Sequence, residues 1–509
     1  MSVLKKLAGE TALYGVSTIL GRTLNWALVP LHTYIFVHPE QLASNIELYS
    51  WVALLNVFYT YGMETAFFRF ASRQSGDKMT YFNQATTALI VSSLCFSSML
   101  ILFSSQIVGW LDYKGEEMNV VWLALVIAID AIVSIPFARL RIEKKAKKFV
   151  TVKIINIAAN VGLNLFFLVL CRDIHQSNYL TFLKPLIDSF YNPELGPGYI
   201  FLANFLANAL FLVLLRDGFR GYRFGWDFVI FKELWKYGYP IFIMGLAGVV
   251  NLMTDRWFLR HLLPEGFYAG LSSKQVLSIY GNCYKLSIFM ALAIQAFKFA
   301  ADPFFFSKAE DKNAPALLAL VNKWFIIVCV LIWVGICLNL ETIALLIGKN
   351  YRSGTDAVPL LMLANLVLGV YYNVAFWFKL SDKTYFGTLI TGIGAVVTVV
   401  LNLVLIPQIG YMGCAWAFLI SSLVMLTLCV WLGNTHYPVA YRWAAPVGYI
   451  LGGGLLIYGA SQVKISNQWL AFPYHFLLYL LFLLIIVVVE RDAIPLEMKK
   501  KMKIVGLLK

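Results

Sequence analysis

ETALYGVSTILGRTLNWALVPLHTYIF, residues 10–36, carries one arginine, Arg22, at the centre of a run otherwise free of charge after Glu10. A helix crosses the hydrocarbon of a bilayer with about 20 such residues. Lys5 and Lys6 precede the run, and its apolar stretch is too long for the core of a cleaved signal peptide. It is expected to be an uncleaved first helix. Blocks of the same kind recur at 46–70, 82–104, 119–139, 151–171, 198–215, 237–260, 276–300, 316–339, 357–378, 386–406, 412–433, 443–461 and 473–490, which makes about fourteen spans. Hydrophobic residues form 60% of the 509-residue chain and charged residues 13%, with a mean hydropathy of +0.73. The expected fold is an all-α polytopic membrane protein, with no connection large enough for a soluble catalytic domain. Any function must therefore sit within the bilayer.

The net charge of +14 is distributed by face. With the N-terminus placed in the cytoplasm, the even-numbered connections and both tails hold 29 of the 41 Lys and Arg residues, and the opposite face holds 8. This is the positive-inside asymmetry. It predicts an even number of spans, with both termini on the cytoplasmic side. The clusters Arg139–Lys153 and Lys499–Lys503 are expected to meet anionic lipid headgroups, and no nucleic acid is expected as a partner. On the outer face the longest connection, Arg172–Pro197, contains an apolar patch, Tyr179–Tyr191, suited to the membrane surface.

Several chemistries are excluded. The seven cysteines form no C-x-x-C pair and the six histidines no H-x-x-x-H pair, so neither a metal site nor a disulfide framework is read. Gly348-Lys349-Asn350 is only a fragment of a phosphate-binding loop. No cofactor is expected, beyond a proton or sodium ion as coupling ion.

The spacing of the spans suggests a parallel internal repeat. Residues 1–222 would form a first lobe of six helices and 223–434 a second. Residues 435–509 would add two further helices and a basic tail. Proline and glycine fall inside several spans (Pro30, Pro136, Pro240, Gly245 and Gly248 among them). They suit either close helix packing or bending of the first and seventh helices.

A charge at the bilayer centre costs at least about 2.5–3.5 kcal/mol on insertion scales, so the buried charges are the candidate functional residues. Arg22 and Asp130 lie at similar depth, and either pair with each other or leave Arg22 for an anionic substrate. Glu64 would need Arg69, water or a proton, while Arg69 itself can reach headgroups at the cytoplasmic end. Asp255 and Arg256 are adjacent and so point about 100° apart, which favours Lys285 as the partner of Asp255. Lys323 is expected to snorkel to the surface. Arg22, Arg256 and Lys285 together place positive charge in the interior, suited to a phosphate or pyrophosphate. Glu64, Asp130 and Asp255 are candidates for charge pairing or ion coupling. Tyr280, Tyr284, Tyr371 and Tyr372 could line a cavity that handles sugars, or mark interfaces.

Five stretches resemble the multidrug/oligosaccharidyl-lipid/polysaccharide flippase superfamily, and within it the bacterial exporters of O-antigen and capsule precursors. They are the first span with its central Gly21-Arg22; YGMETAFFRFAS (61–72), similar to G-x-x-x-A-x-x-R-F; YPIFIMGLAGVVNLMTDRWFL (239–259), ending in Asp-Arg and an aromatic; IYGNCYKLSIFMALAIQAFKFAADPF (279–304), similar to I-Y-x-x-x-x-K with a terminal Pro-Phe; and IPQIGYMGCAWAFLIS (406–421), similar to P-x-x-G-x-x-G-A-A-x-A. In the last, Cys414 and Trp416 replace small residues. Lipid II flippases resemble the chain too, but they carry a second arginine in the first helix at about the place of Leu28.

The resemblance implies a two-lobed, alternating-access flippase, not an enzyme. It would carry a polyprenyl-pyrophosphate-linked oligosaccharide to the outer leaflet for cell-surface polysaccharide assembly. Arg22, Arg256 and Lys285 would contact the pyrophosphate or sugar, and glycosyltransferases and a polymerase of the same pathway would be partners. The alternatives are a lipid II flippase or a cation-coupled multidrug exporter of the same fold, and, from another class, a membrane polysaccharide polymerase. An exporter of cationic drugs needs an acidic cavity. A polymerase needs a reactive cluster at one face, and His175 and His261 are isolated.

Overall fold

The computed structural model describes residues 15, 19–72, 78–307, 313–381, 383–463, 465 and 468–491. Lys5, Lys6 and the tail Lys499–Lys503, counted above on the basic face, lie outside them. Among the described residues every regular element is helical. Lipid offers the backbone no hydrogen bonds, so each crossing must satisfy its own amides.

Helical residues 19–26 turn at Ala27 and continue as Leu28–Ile35, the two stretches together forming α1. The chain then forms α2 (Ala43–Thr60), α3 (Met63–Ala71), α4 (Lys78–Leu102), α5 (Glu117–Ile142), α6 (Ala146–His175) and α7 (Gly198–Leu214). The second half comprises α8 (Phe228–Leu262), α9 (Ser273–Tyr284), α10 (Ile288–Ser307), α11 (Ala314–Leu338), α12 (Val358–Val374), α13 (Tyr385–Ile409), α14 (Tyr411–His436), α15 (Ala444–Ser461) and α16 (Gln468–Val489). Among the described residues eleven helical stretches are long and apolar enough to cross a membrane. The other three expected spans are α1, the interrupted pair α2–α3, and α7, which has 17 residues.

The breaks have local causes. Pro30 lacks an amide hydrogen and its ring crowds the carbonyl four residues back, at Trp26; the turn at Ala27 sits between the two. Between α2 and α3, Tyr61 and Gly62 both adopt left-handed backbone, at φ 30° and 76°. The expected eighth span is split by a 3-10 turn, Lys285–Ser287. The seventh, by contrast, runs unbroken through Pro240 and begins earlier than expected. Asp227 caps it by accepting hydrogen bonds from the amides of Val229 and Ile230.

Helices α4 to α7 pack on one another, as do α8 with α13 and α14, and α12 with α11 and α14. Helices α15 and α16 dock on α11. There Lys323, expected to snorkel, is half-buried and forms an ion pair with buried Glu490, whose other oxygen accepts from Tyr449 Oη at 2.8 Å. Three helices are joined by this one carboxylate.

The two sets meet along α8. At the basic face α8 lies against α3 and α4, with Tyr81 Oη donating to Glu233 Oε2 at 2.9 Å. Here Gly62 and Gly238 bring backbone onto backbone: a Cβ on Gly62 would stand 2.5 Å from the Gly238 carbonyl oxygen. Toward the opposite face α8 packs on α2. Helix α1 bridges the sets, with Gly21 against Ile157 of α6 and Trp26 against Phe289 of α10.

Two substitutions test this packing by thermal denaturation of the purified protein. Gly62→Ala combines a left-handed backbone with a backbone clash and is expected to destabilise by about 1–3 kcal/mol. Lys323→Met, which strands Glu490, is expected to cost about 3–5 kcal/mol, most of it recovered when Glu490→Leu is added.

Candidate functional site: the charges between the helix sets

Arg22 is exposed on α1, and among the described residues no carboxylate is bonded to it. Asp130, the partner considered for it, is answered elsewhere. It accepts from Asn208 Nδ2 of α7 at 3.0 Å and lies within electrostatic range of Lys153. One turn after Arg22, on the same helix face, Trp26 Nε1 donates to the main-chain oxygen of Lys285 at 3.0 Å. That carbonyl belongs to the 3-10 turn between α9 and α10. The side chain of Lys285 donates to Asn282 Oδ1 at 3.2 Å and, among the described residues, to no carboxylate. Among the described residues no acidic side chain is bonded to Arg22 or to Lys285.

Arg256 behaves otherwise. Its Nη1 contacts Asp255 Oδ1 at 2.8 Å, both side chains are buried, and the guanidinium stacks 4.3 Å above the Tyr284 ring. Asp255 also accepts from Tyr280 Oη at 2.6 Å. The expectation that neighbours on a helix do not pair, leaving Asp255 to Lys285, is corrected: the arginine arm is long enough to curl back, and it also donates to the Leu252 carbonyl at 2.8 Å. Tyr280 and Tyr284 serve this pair. Glu64 likewise pairs with Arg141 of α5 rather than with Arg69, which is exposed and stacks 4.7 Å over the Tyr237 ring. In the cluster Arg139–Lys153, Glu143 takes Arg139 and Lys145, and Asp217 takes Lys148. Lys144 and Lys147 are exposed.

Sequence reasoning missed two polar arrays. Asn156, Asn160 and Asn164 recur every fourth residue along α6. Asn156 Nδ2 donates to Asn208 Oδ1 at 2.9 Å, Asn160 Nδ2 to Asn25 Oδ1 of α1 at 3.1 Å, and His32 Nε2 donates to Asn164 Oδ1 at 2.9 Å. The i, i+4, i+8 spacing of amides in an apolar run was the available signal.

The second array joins the helix sets at the face opposite the basic one. Glu47 of α2 is fully buried. It accepts from Tyr113 Oη at 2.8 Å and has Arg260 Nε at 3.8 Å and His261 Nε2 at 3.7 Å. Asp112 meets Lys274 at 2.9 Å and Arg260 at 3.4 Å. Glu47 stood at the edge of an expected span, and nothing local in the sequence distinguished it from an interfacial residue.

No protein-family model and no curated protein matches the chain. Solved structures do match. A lipid II flippase, MurJ, in an inward closed conformation superposes with a TM-score of 0.72 at 15% identity, covering 95% of this chain and 100% of that one. A multidrug resistance MATE family transporter of the MOP superfamily, inward-facing, gives 0.56 at 12% identity over 87% and 96%. The Vibrio cholerae MATE transporter VcmN, in a mutant form, gives 0.58 at 13% over 86% and 99%. At these identities the likeness shows the fold, that of a multi-pass membrane protein built like MurJ and the MATE transporters. It does not single out the O-antigen exporters among proteins of this fold.

The array opposite the basic face makes a pH prediction. Hydrogen bonding and charge from Lys274 hold the Asp112 carboxyl below its ordinary value of 3.8. A depressed carboxyl stabilises the folded form above the ordinary value and loses that contribution as pH falls through the depressed one. The difference in melting temperature between the native protein and Asp112→Asn is therefore expected to be constant from neutral pH down to about 4 and to shrink below it. It should also shrink in high salt, because Asp112 is exposed.

Proposed function

We propose that this chain is a membrane flippase, not an enzyme. It moves a polyprenyl-pyrophosphate-linked oligosaccharide across the cytoplasmic membrane of a bacterium, with its basic face and both termini in the cytoplasm. In this reading residues 1–222 and 223–434 are two lobes that alternate between inward and outward openings, and residues 435–509 are an appended pair with a basic tail. The observation that carries the reading is Arg22, an exposed cation on α1 that no carboxylate answers among the described residues, set on the helix face that reaches Lys285. Two unneutralised cations suit a pyrophosphate, whose oxygens guanidinium can grip in pairs. Arg256 would shape the site rather than grip the substrate, since Asp255 already occupies it.

The sugar cannot cross hydrocarbon unaided because its hydroxyls would lose their hydrogen bonds. The lobes would enclose it while the prenyl tail stays in lipid. An inside-negative potential favours outward movement of an anion by about 2.3 kcal/mol per charge per 100 mV, so no ATP is required. A proton or sodium ion at Glu64, Asp130 or Asp255 could add coupling. Exposed Lys144 and Lys147 would meet anionic lipids, and glycosyltransferases and a polymerase would supply and consume the substrate. The MurJ likeness keeps lipid II as a second substrate reading, and the MATE likeness keeps a cationic drug as a third.

Proteoliposomes loaded with a fluorescent polyprenyl-pyrophosphate oligosaccharide test this. Protein-dependent movement of the probe to the far leaflet is expected. Movement of soluble cationic drugs alone would overturn it, and movement of lipid II alone would reassign the substrate. Arg22→Gln removes a charge-assisted contact of about 1.5–3 kcal/mol, so the initial rate should fall roughly ten- to a hundredfold. Arg22→Lys should fall between it and the native protein.

A further inference from the structure

Asn25 follows Arg22 by three residues on α1, so the two share a helix face with Cβ atoms about 5–6 Å apart. Both side chains are exposed. The amide of Asn25 ends a chain of hydrogen bonds that starts inside the first helix set, and the chain fixes which way that amide points. Asn164 of α6 is fully buried, and its Nδ2 donates to the main-chain oxygen of Asn160 at 2.8 Å. A carbonyl oxygen only accepts, so the nitrogen of Asn164 must lie on that side. Its Oδ1 is left to accept from His32 Nε2 of α1 at 2.9 Å. The same Nδ2 donates to Asn160 Oδ1 at 3.2 Å. That turns the Asn160 nitrogen toward α1, where it donates to Asn25 Oδ1 at 3.1 Å. The Asn25 oxygen is thereby used. Its nitrogen carries two N–H groups and has no acceptor among the described residues.

Resting on the flippase reading, we infer that Asn25 is a second gripping residue beside Arg22 and that its amide nitrogen donates to an oxygen of the pyrophosphate. A guanidinium and an amide whose oxygen is already taken present donors alone. Such a pair suits a group built of acceptor oxygens and opposes a cationic drug, which needs an acceptor in that place. It also favours phosphate over a sugar hydroxyl, because a hydrogen bond to an ionised acceptor is about twice as strong as one between neutral groups. Asn160, Asn164 and His32 do not touch the ligand. They are positioning residues: by holding the Asn25 oxygen inward they keep its nitrogen on the face of Arg22. Without Asn160 the Asn25 amide is free to turn either end outward, and half of those orientations set an oxygen against the phosphate.

The full-length protein in phosphatidylcholine nanodiscs is titrated with a fluorescent polyprenyl pyrophosphate, with and without an attached oligosaccharide. Asn25→Leu is expected to bind both probes about tenfold more weakly than the native protein. Asn25→Asp, of the same size, still accepts from Asn160 but turns a carboxylate on the phosphate. It should lose at least as much, and it serves if the leucine variant fails to fold. Asn160→Ala should weaken both probes roughly threefold in the native background and have no further effect in Asn25→Leu, because it reaches the ligand only through Asn25. Weakening of the sugar-bearing probe alone would make Asn25 a reader of sugar and overturn the assignment. So would unchanged binding by Asn25→Leu. Equal losses from Asn160→Ala with Asn25 present or replaced would overturn the positioning chain. Arg22→Gln separates the two levels. If it weakens the probes and Asn25→Leu does not, only the role of Asn25 falls; if neither variant weakens them, the site proposed for transport falls with it.

Discussion

Hydrocarbon offers a polar group no water, and the way this chain answers that constraint organises the rest of its structure. Glu490 holds Lys323 and Tyr449 and so ties α11, α15 and α16 together. Asp255 holds Arg256 and Tyr280 and ties α8 to α9. Glu64 and Arg141 join α3 to α5, while Asp130, Asn208 and Asn156 join α5, α7 and α6. Each pairing is also a packing contact between helices that otherwise have little hydrophobic reason to associate in lipid. Even the backbone takes part: the Lys285 carbonyl, which closes the 3-10 turn by accepting from the Ile288 amide, also accepts from Trp26 Nε1 of α1.

Against that background Arg22 stands apart. Other charges at similar depth have found acids or amides, and Arg22 is exposed with no carboxylate bonded to it among the described residues. A structural role would have favoured pairing with Asp130, the carboxylate of matching depth. Asp130 is instead drawn into the amide chain of α6 and α7. The proposed site thus rests on Arg22 with Lys285, to which no carboxylate is bonded among the described residues, and not on every cation of the interior. Arg256, equally cationic in the sequence, contributes little net charge because Asp255 cancels it.

Much of the architecture was legible because it depends on composition and period. Long apolar runs and the one-sided Lys and Arg distribution predict an all-helical bundle, and the five motifs suggested the fold that MurJ and the MATE transporters share. Pairing was not legible, because it depends on side-chain reach and on contacts distant in sequence. Arg256 curls back onto its neighbour, which ideal helix angles discourage. Lys323 looked free to snorkel because its acid lies 167 residues away. Glu47 looked interfacial because Tyr113, 66 residues on, and Arg260 of α8 complete its surroundings only in the fold.

The seam between α8 and the first helix set is held by different physics at its two ends, and under the alternating-access proposal this difference sets how each end would open. At the basic face the contact combines close backbone packing and aromatic rings with one hydrogen bond, from Tyr81 to Glu233. Gly62 and Gly238 bring main chain against main chain, and Tyr61 packs on Trp235 at 5.9 Å. Such a contact is short-ranged and largely insensitive to ionic strength. At the opposite face it is electrostatic, with Asp112 exposed and Glu47 fully buried beside Arg260. The exposed pairs are each worth about 0–1 kcal/mol and exchange readily with water. Separating buried Glu47 from Arg260 is costly unless water or a proton reaches it first. Opening at that face is therefore governed by hydration of a single carboxylate, whereas opening at the basic face is governed by sliding one glycine past another.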